Sequence, residues 1–330
     1  MAASRADREM PPFLGLDAFL TARRNSAEHT RRTPVLTSET LDGLVGTTVF
    51  LKAEMFQKAG SYKVRGPLNV IAHMSEAERA RGFICASAGN HAQGVARAAR
   101  IYGVPATVVM SHAAKPAKID ATRGYGAEVI LHGDVWDDAY AHSLELMRDR
   151  NLTYIHPFDD PLLIAGQGLV GLEFIEDVPD LDVILVPIGG GGLIAGCAMA
   201  IKAIKPDVRI IGIEAAQAPA MKRSLEADGP VTLQSFGPMI DGLVVRRVGD
   251  YTLEVVRGFV DDIILVDEAA IFAAVTWIME RLKIVPEGAA AAPVAALLAN
   301  QLHFAPGQRI GCVLSGGNLD FGDLRHRAWN

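Results

Sequence analysis

The sequence predicts an α/β protein, the fold class in which helices cover mostly parallel sheets. Short runs rich in valine and isoleucine alternate with alanine-rich runs of helical spacing. The apolar runs are continuous, as expected for strands that are buried on both faces. The chain has 330 residues, of which 50% are hydrophobic and 21% are charged, so it is long enough to form two domains.

Eight segments predict strands, and they recur along the chain. They are residues 49–55, 82–87, 106–111, 127–131, 182–188, 208–215, 262–267 and 310–315. Helices are expected between them, for example over residues 91–103, 117–126, 136–151, 192–204 and 269–283. Ligands of open α/β sheets bind beyond the carboxyl ends of the strands, so a site is expected in the loops that follow strands.

The composition argues against several classes of function. A net charge of −6 without a basic stripe argues against nucleic acid as a partner. Residues 1–12 lack the apolar core of a signal peptide. Residues 183–201 carry no charge, but Pro187 and four consecutive glycines favour a strand, a turn and a helix over a membrane span. The three cysteines lie in apolar runs, which is typical of reduced thiols in a cytoplasmic protein.

Lys63 stands in the first of four unusual strand-end loops, the segment GSYKVRG. Gly60 permits a tight turn, Ser61 is a candidate N-cap, and Lys63 then falls in the first turn of a helix. The positive end of the helix would lower the pKa of the lysine and favour a nucleophilic amine. An isolated lysine in this position is more often simply solvated, so this loop does not decide the function alone.

The second loop, SAGNHAQG, lies between an apolar strand and an alanine-rich helix. Ser87, Gly89 and Asn90 bring a hydroxyl, a backbone N–H and an amide towards one point, where a helix start can bind an anion. An ordinary capped helix start has the same composition. His91 is expected to pack at the helix start rather than to act as a catalyst.

The third loop contains four consecutive glycines, residues 189–192, followed by a helix. Such a run lets the backbone approach a phosphate closely, and no Lys-Ser/Thr pair follows it, so it is not a P-loop. The spacing Gly190-x-Gly192-x-x-Ala195, with Glu214 closing the next strand, also imitates a dinucleotide fingerprint. A nicotinamide-dependent oxidoreductase is therefore a rival hypothesis.

The fourth loop, CVLSGGNLD, ends an apolar strand at Ser315 and by itself indicates only a turn. Together, the four loops resemble the serine/threonine dehydratase and serine racemase group of the fold-type II pyridoxal-phosphate (PLP) enzymes. The resemblance spans residues 33–320 and rests on GSYKVRG, SAGNHAQG, HPFDDPLLIAGQG, GGGGLIAG, PEGAA and SGGN. The chain departs from the family at Tyr62, usually Phe, and at Pro67, which predicts a local distortion unless the helix begins near Gly66.

The resemblance implies a fold similar to the tryptophan synthase β subunit, with two open, twisted, mostly parallel sheets flanked by helices. The large PLP-binding domain would comprise residues 1–77 and 158–330, and the small domain, residues 78–157, would carry the asparagine loop. Small-domain closure on the substrate would exclude water. The family also suggests a homodimer or homotetramer. Because the chain stops soon after SGGN, feedback by isoleucine through a long C-terminal regulatory region is not expected.

The resemblance also assigns roles to individual residues. The cofactor would be held by Tyr62, Lys63, Asn90, Gly189, Gly190, Gly191, Gly192, Leu193, Gly242 and Ser315. Lys63 would form the Schiff base and act as the base at the substrate Cα. The glycine run would bind the phosphate, Asn90 the ring hydroxyl and Ser315 the pyridine nitrogen. The substrate would be held by Ser87, Ala88, Gly89, Asn90 and His91.

These roles imply β-elimination from a β-hydroxy amino acid, foremost L-threonine or L-serine, to a 2-oxo acid and ammonia. A serine hydroxyl can bond a neutral pyridine nitrogen but does not stabilise a pyridinium as an aspartate would. The ring is then a weaker electron sink, which favours rapid loss of the β-hydroxyl over transamination.

Two positions argue against neighbouring members of the family. Serine racemases place a serine two residues before the loop asparagine, as the acid/base on the opposite face of the substrate. This chain has Ala88 there, which favours a dehydratase over a racemase. Family members with a cation site pair a strand-end glutamate with an aspartate six residues later. Here Glu214 is followed by Ala220, so no metal is expected.

The identity of the β-substituent stays open at this stage. Phe158 and the lack of an arginine within residues 136–140 favour serine or threonine over hydroxyaspartate, unless Arg246 or Arg247 faces the site. Phenylserine and other β-hydroxy amino acids are alternatives. A catalytically silent ligand-binding or regulatory protein on the same scaffold is a further rival.

Overall fold

Two sheets organise the part of the chain that the computed structural model describes, residues 10–234, 240, 242–320 and 322. The strands there are β1 (Val35–Thr37), β2 (Thr48–Ala53), β3 (Phe83–Ala86), β4 (Ala106–Met110), β5 (Glu128–Leu131), β6 (Thr153–Tyr154), β7 (Val183–Ile188), β8 (Arg209–Ala215), β9 (Asp262–Val266) and β10 (Arg309–Leu314). The larger sheet has the order β1-β2-β10-β7-β8-β9 and the smaller one β5-β4-β3-β6. The pairs are parallel except β1 with β2.

Helices cover both sheets, as the alternation of runs predicts. They are α1 (Leu16–Ser26), α2 (Glu39–Val45), α3 (Arg65–Ala72), α4 (Glu76–Arg81), α5 (Asn90–Tyr102), α6 (Pro116–Gly124), α7 (Trp136–Asp149), α8 (Pro161–Gln167), α9 (Leu169–Asp177), α10 (Gly192–Lys202), α11 (Ala220–Glu226), α12 (Asp250–Phe259), α13 (Glu268–Leu282) and α14 (Gly288–Leu298). Short 3-10 turns occupy Glu54–Phe56, Lys58–Gly60 and Tyr62–Val64. The predicted fold class is confirmed.

All eight predicted strand segments contain a strand, whereas β1 and β6 were not predicted. Residues 183–201 form β7 and most of α10, as expected from the glycines. Within the described residues, every helix is too short or too polar to cross a membrane. Strands β3 to β6 all lie inside the segment 78–157, and the domain boundaries themselves stay a prediction.

The larger sheet is buried on both faces, which explains its continuous apolar strands. On one face, α13 and α14 pack against Leu51, Leu185 and Ile213, and α14 is buried along almost its whole length. On the other face, α9, α10 and α12 pack against Ile184 and Val186. This burial on both faces leaves the strand ends as the places where polar loops can meet a ligand.

Lys63 lies in a short turn before a helix and not, as the sequence predicts, in the first turn of the helix. Tyr62–Val64 form a 3-10 turn, and α3 starts at Arg65. Pro67 is therefore the third residue of α3, where a backbone N–H has no intrahelical acceptor, and no distortion is needed. Ser61 does stand at the N-cap position in extended conformation. The predicted capping hydrogen bond is wrong, because its hydroxyl makes none.

A buried charge cluster anchors this segment; it comprises Lys52, Glu54, Arg65, Glu173 and Asp177. The guanidinium of Arg65 is fully buried and forms two bonds of 2.9 Å with Glu54 and bonds of 2.7 and 2.9 Å with Glu173. Lys52 Nζ lies 3.0 Å from Asp177 and 3.2 Å from Glu173. The cluster joins β2, α3 and α9, so it fixes the turn that carries Lys63.

Arg65→Met is expected to lower the free energy of unfolding by about 3 to 5 kcal/mol, because it leaves the buried carboxylate of Glu54 without a cation and removes one of the two cations that pair with Glu173. Arg32→Met is the matched control. Arg32 also pairs with two carboxylates, but its side chain is 49% exposed, so its loss should cost less than about 1 kcal/mol. Urea unfolding followed by circular dichroism measures both. Equal losses in the two variants would contradict the role of burial.

Candidate active site

Lys63 lies among the loops at the strand ends, with its amine turned towards the backbone that follows β6. Its Nζ donates a 2.7 Å hydrogen bond to the carbonyl of Pro157 and lies 5.3 Å from the centre of the Tyr62 ring. Burial lowers the pKa of the amine to about 8, and the negative charge of Glu287 opposes this shift. The ammonium form still dominates at neutral pH, but the uncharged fraction that a nucleophile or base requires is far larger than for an ordinary lysine. The same burial raises the pKa of the Tyr62 hydroxyl, so this side chain stays neutral.

Helices α5 and α8 pack closely against the backbone of residues 63–65. A Cβ built on Gly94 of α5 would lie 2.6 Å from the carbonyl oxygen of Lys63. A Cβ built on Gly166 of α8 would lie 2.5 Å from the carbonyl oxygen of Arg65. Any larger residue at either position would push this turn away, so both glycines set the place of the lysine.

The loop after β10 runs alongside the lysine loop. Tyr62 N donates to the carbonyl of Ser315 at 3.1 Å, and Gly317 N donates to the carbonyl of Gly60 at 2.9 Å. Ser315 directly follows β10 and is buried. The first and fourth loops are therefore parts of one site, as the resemblance implies.

Asn90 belongs to a polar network that the sequence reasoning missed. Its Nδ2 donates to both carboxylate oxygens of Glu287, at 2.7 and 2.8 Å, and its Oδ1 accepts from Asn318 Nδ2 at 2.8 Å. Glu287 is 4% exposed, and its backbone N–H donates to the carbonyl of Gly316. These partners fix which end of the Asn90 amide faces which neighbour. The motifs PEGAA and SGGN contain both partners, but the sequence offers no sign that they contact Asn90.

The rest of the asparagine loop borders open space. Gly89 N donates to the Ser87 hydroxyl at 3.2 Å, and a Cβ built on Gly89 would meet no atom within 4 Å. Ala88 is partly exposed. His91 is buried instead, and its Nε2 donates to the carbonyl of Ile155 at 3.0 Å. Burial lowers the pKa of His91 to about 3, so it is neutral and packs at the helix start.

Close packing around the run from Gly189 to Gly192 leaves no room for side chains at these positions. The ring of Phe158 would lie 2.2 Å from a Cβ on Gly190, and Gly191 has a φ of +96°, which disfavours other residues. Gly192 lies against the backbone of Phe158 and the side chain of Gln167. The run opens α10, whose first backbone N–H groups have no intrahelical acceptor and can bind an anion.

Further residues support the glycine run from outside. A Cβ built on Gly189 would lie 2.4 Å from the carbonyl oxygen of Gly242, so Gly242 lies beside the run, and its role in cofactor binding stays a prediction. The Thr252 hydroxyl donates to the carbonyl of Gly190 at 2.8 Å, and Asp159 accepts from Thr252 N at 3.0 Å. Sequence reasoning missed both residues: Thr252 lies outside the quoted motifs, and although Asp159 lies in HPFDDPLLIAGQG, nothing in that motif indicates a contact with Thr252.

Glu214 has a structural role that does not fit the dinucleotide hypothesis. Its two carboxylate oxygens accept hydrogen bonds from Met221 N at 2.7 Å and Lys222 N at 3.0 Å, in the first turn of α11. The side chain is buried, and burial raises its pKa to about 7. A carboxylate that is occupied in this way is not available to a ribose hydroxyl.

The donor set at the strand ends fits pyridoxal phosphate. The cradle formed by Gly189–Gly192 and the start of α10 suits a phosphate, because the first N–H groups of α10 lack helical acceptors and the glycines present backbone without side chains. Lys63 offers an amine of lowered pKa, and Ser315 offers a hydroxyl in the loop after β10, which runs alongside the lysine loop. Asn90 adds an amide whose orientation is fixed.

Comparison with known proteins supports the same assignment. The model of the family described as pyridoxal-phosphate dependent enzyme matches residues 27–316. The chain is 44% identical to L-threonine ammonia-lyase of Thermotoga maritima over 93% of its own length and 76% of that protein. It resembles the structure of maize serine racemase with a TM-score of 0.91 and 37% identity, covering 95% and 96% of the two chains. For the T.th. threonine deaminase the TM-score is 0.87 and the identity 40%, covering 93% and 99%.

Glu287→Gln is expected to lower the pKa of Lys63 further, because it removes the negative charge that favours the ammonium form. The new amide oxygen can still accept from Asn90, so the change is mainly one of charge. The pH dependence of Lys63 acylation in cofactor-free protein, followed by mass spectrometry, measures this pKa. Glu145→Gln, at an exposed residue of α7, is the control and should leave it unchanged. An equal or higher pKa in Glu287→Gln would contradict the assignment.

Proposed function

The chain belongs to the family of pyridoxal-phosphate-dependent enzymes, and on this premise we propose that it is an L-threonine and L-serine ammonia-lyase. It removes the β-hydroxyl and the α-amino group and yields a 2-oxo acid and ammonia. The relatives named L-threonine ammonia-lyase and threonine deaminase support this choice of substrates. The observation that carries the proposal is that the lysine loop and the Ser315 loop lie side by side, that Asn90 is bonded to Asn318 of the latter, and that the glycine run follows β7, the strand next to β10.

Lys63 is the catalytic residue of the proposed reaction. Its lowered pKa leaves an uncharged amine that can bind the cofactor covalently and then accept the proton from the substrate Cα. The carbonyl of Pro157 holds Nζ at 2.7 Å and so restricts where the amine points. Asn90 and Tyr62 orient the ring, and the N–H groups of the glycine run and Leu193 hold the phosphate.

Ser315 determines how strongly the site stabilises negative charge on the substrate. When bound, pyridoxal phosphate supplies an electron-withdrawing ring that weakens the bonds at the substrate Cα. The Ser315 hydroxyl can donate only to an unprotonated ring nitrogen, since a hydroxyl has no charge with which to stabilise a cation. We infer that a carbanion at Cα is short-lived and that loss of the β-hydroxyl is favoured over slower reactions.

The loop from Ser87 to His91 is the proposed binding site for the substrate carboxylate. Helix α5 starts at Asn90, and the N–H groups of its first turn can bind an anion next to the Ser87 hydroxyl. Ala88 lies partly exposed in this loop, and its methyl group cannot carry a proton. The proposal therefore excludes racemisation, although maize serine racemase shares the fold.

The ion pairs of Arg246 and Arg247 favour a neutral β-substituent on the substrate. Arg246 forms an ion pair with Asp137, and Arg247 pairs with Asp250 at 2.6 Å. Each guanidinium already has a carboxylate partner within the chain. This supports threonine or serine over hydroxyaspartate, and it leaves phenylserine as an alternative substrate.

The rival hypotheses are now weaker. The nicotinamide hypothesis is wrong, because the chain belongs to a PLP family and Glu214 caps α11 instead. A catalytically silent protein would retain the fold, but the lowered pKa of Lys63 and the oriented Asn90 amide favour chemistry. We further propose a cytoplasmic homodimer or homotetramer; buried free cysteines agree with a reducing compartment.

The purified protein with pyridoxal phosphate is expected to show a visible absorption band and to convert L-threonine to 2-oxobutanoate and ammonia. Lys63→Ala should lose the band and at least about 1,000-fold in kcat, because both the covalent attachment and the base are removed. The readouts are the visible spectrum and a coupled assay of the 2-oxo acid, with hydroxyaspartate and phenylserine as comparison substrates. Protein that binds the cofactor but turns over none of these substrates would contradict the proposed reaction.

Ala88→Ser is expected to introduce racemisation of L-serine where the parent has none, because the hydroxyl supplies an acid/base on the second face of the substrate. Chiral chromatography of the remaining serine measures the D isomer. Ala88→Val, which adds bulk without a proton donor, is the control and should form no D-serine. Racemisation by the parent protein would overturn the argument from this position.

A further inference from the structure

Gln167 is a buried amide whose two polar atoms lack partners. It is the last residue of α8 and is fully buried. Among the residues that the structure describes, neither its Oε1 nor its Nε2 has a hydrogen-bond partner. Buried amides are normally bonded, since leaving one unpaired costs free energy. Its position therefore calls for a partner from outside the chain.

The side chain lies against the glycine run. A Cβ built on Gly192 would lie 2.6 Å from Gln167 Oε1. Gly192 is the first residue of α10, a helix of 11 residues whose first N–H groups have no helical acceptor. The unpaired amide therefore lies beside the first residue of the helix whose N–H groups lack acceptors.

The segment that contains the glycine run carries no positively charged side chain. The segment PIGGGGLIAG, residues 187–196, contains no lysine or arginine. The glycine run itself can therefore offer a phosphate only neutral donors, so an additional N–H donor beside it would strengthen the binding. A side-chain amide can supply such a donor, and the assignment of its oxygen and nitrogen positions is interchangeable.

We propose that Gln167 is a cofactor-binding residue whose amide N–H donates a hydrogen bond to the phosphate group of pyridoxal phosphate. The phosphate would be held by this amide together with the first N–H groups of α10. The inference rests on the proposed function only through the identity of the cofactor. It gives the glutamine of the HPFDDPLLIAGQG segment a role that the four loops alone do not provide.

Gln167→Met tests the proposal, because methionine has a similar volume and no hydrogen-bonding amide. The thermal midpoint of the cofactor-free protein should stay equal or rise, since no hydrogen bond within the chain is lost. The affinity for pyridoxal phosphate should fall about ten- to a hundredfold, the effect of one hydrogen bond to a charged group. The affinity for pyridoxal, which lacks the phosphate, should not change. Titration of cofactor-free protein, followed by absorbance, measures both affinities.

Gln57→Met is the matched control. Gln57 is also buried, but it accepts from Arg31 N at 2.9 Å and donates to Arg31 O at 2.7 Å. This variant should show the opposite pattern, a lower thermal midpoint of the cofactor-free protein and an unchanged affinity for pyridoxal phosphate. The ³¹P resonance of the bound phosphate should shift in Gln167→Met and stay in place in Gln57→Met.

Three results would overturn the inference and leave the proposed function intact. They are full affinity of Gln167→Met for pyridoxal phosphate, an equal loss of affinity for pyridoxal, and a lower thermal midpoint of the cofactor-free variant without a change in cofactor affinity. If the parent protein itself bound no pyridoxal phosphate, both the inference and the proposed function would be wrong.

Discussion

The position of the reactive lysine depends on the buried guanidinium of Arg65. A buried arginine is tolerated only where carboxylates pair with it, and Glu54 and Glu173 do so from two different elements. Arg65 is therefore held between these carboxylates, and the 3-10 turn Tyr62–Val64, which directly precedes it, is held with it. Helix α5 then packs against that turn through Gly94, so the asparagine loop is positioned by the same constraint.

The chemistry of Lys63 reflects a balance between burial and one carboxylate. Burial alone favours the uncharged amine, whereas Glu287 favours the ammonium. The same carboxylate holds the amide of Asn90 through both oxygens. Glu287 therefore acts on the charge of the base and on the orientation of a ring-binding group at once. Two properties that a catalyst needs together are tied to one side chain.

The sequence predicts the framework well because the framework is built from local patterns. The runs that precede Ser87 and Ser315 are long and apolar, and both form buried strands. β1 and β6 have only three and two residues, too few for a pattern. Contacts between segments that are distant in the sequence are equally hard to predict, because no local pattern indicates them. Glu287 meets Asn90 across 197 positions, and Thr252 meets Gly190 across 62. The site motifs were therefore predictable, but the residues that hold them in place were not.

Overall similarity does not separate the reactions that this fold supports. Maize serine racemase and threonine deaminase match the chain almost equally well, with TM-scores of 0.91 and 0.87 and identities of 37% and 40%. The difference must lie where a proton is needed on the second face of the substrate. At that place the chain has the methyl group of Ala88, and His91, the nearest imidazole in sequence, is buried, neutral and bonded to the carbonyl of Ile155. Under the proposed mechanism, in which Lys63 accepts the Cα proton, the methyl group of Ala88 cannot supply a replacement proton from the opposite side. Loss of the β-hydroxyl is then the remaining outcome.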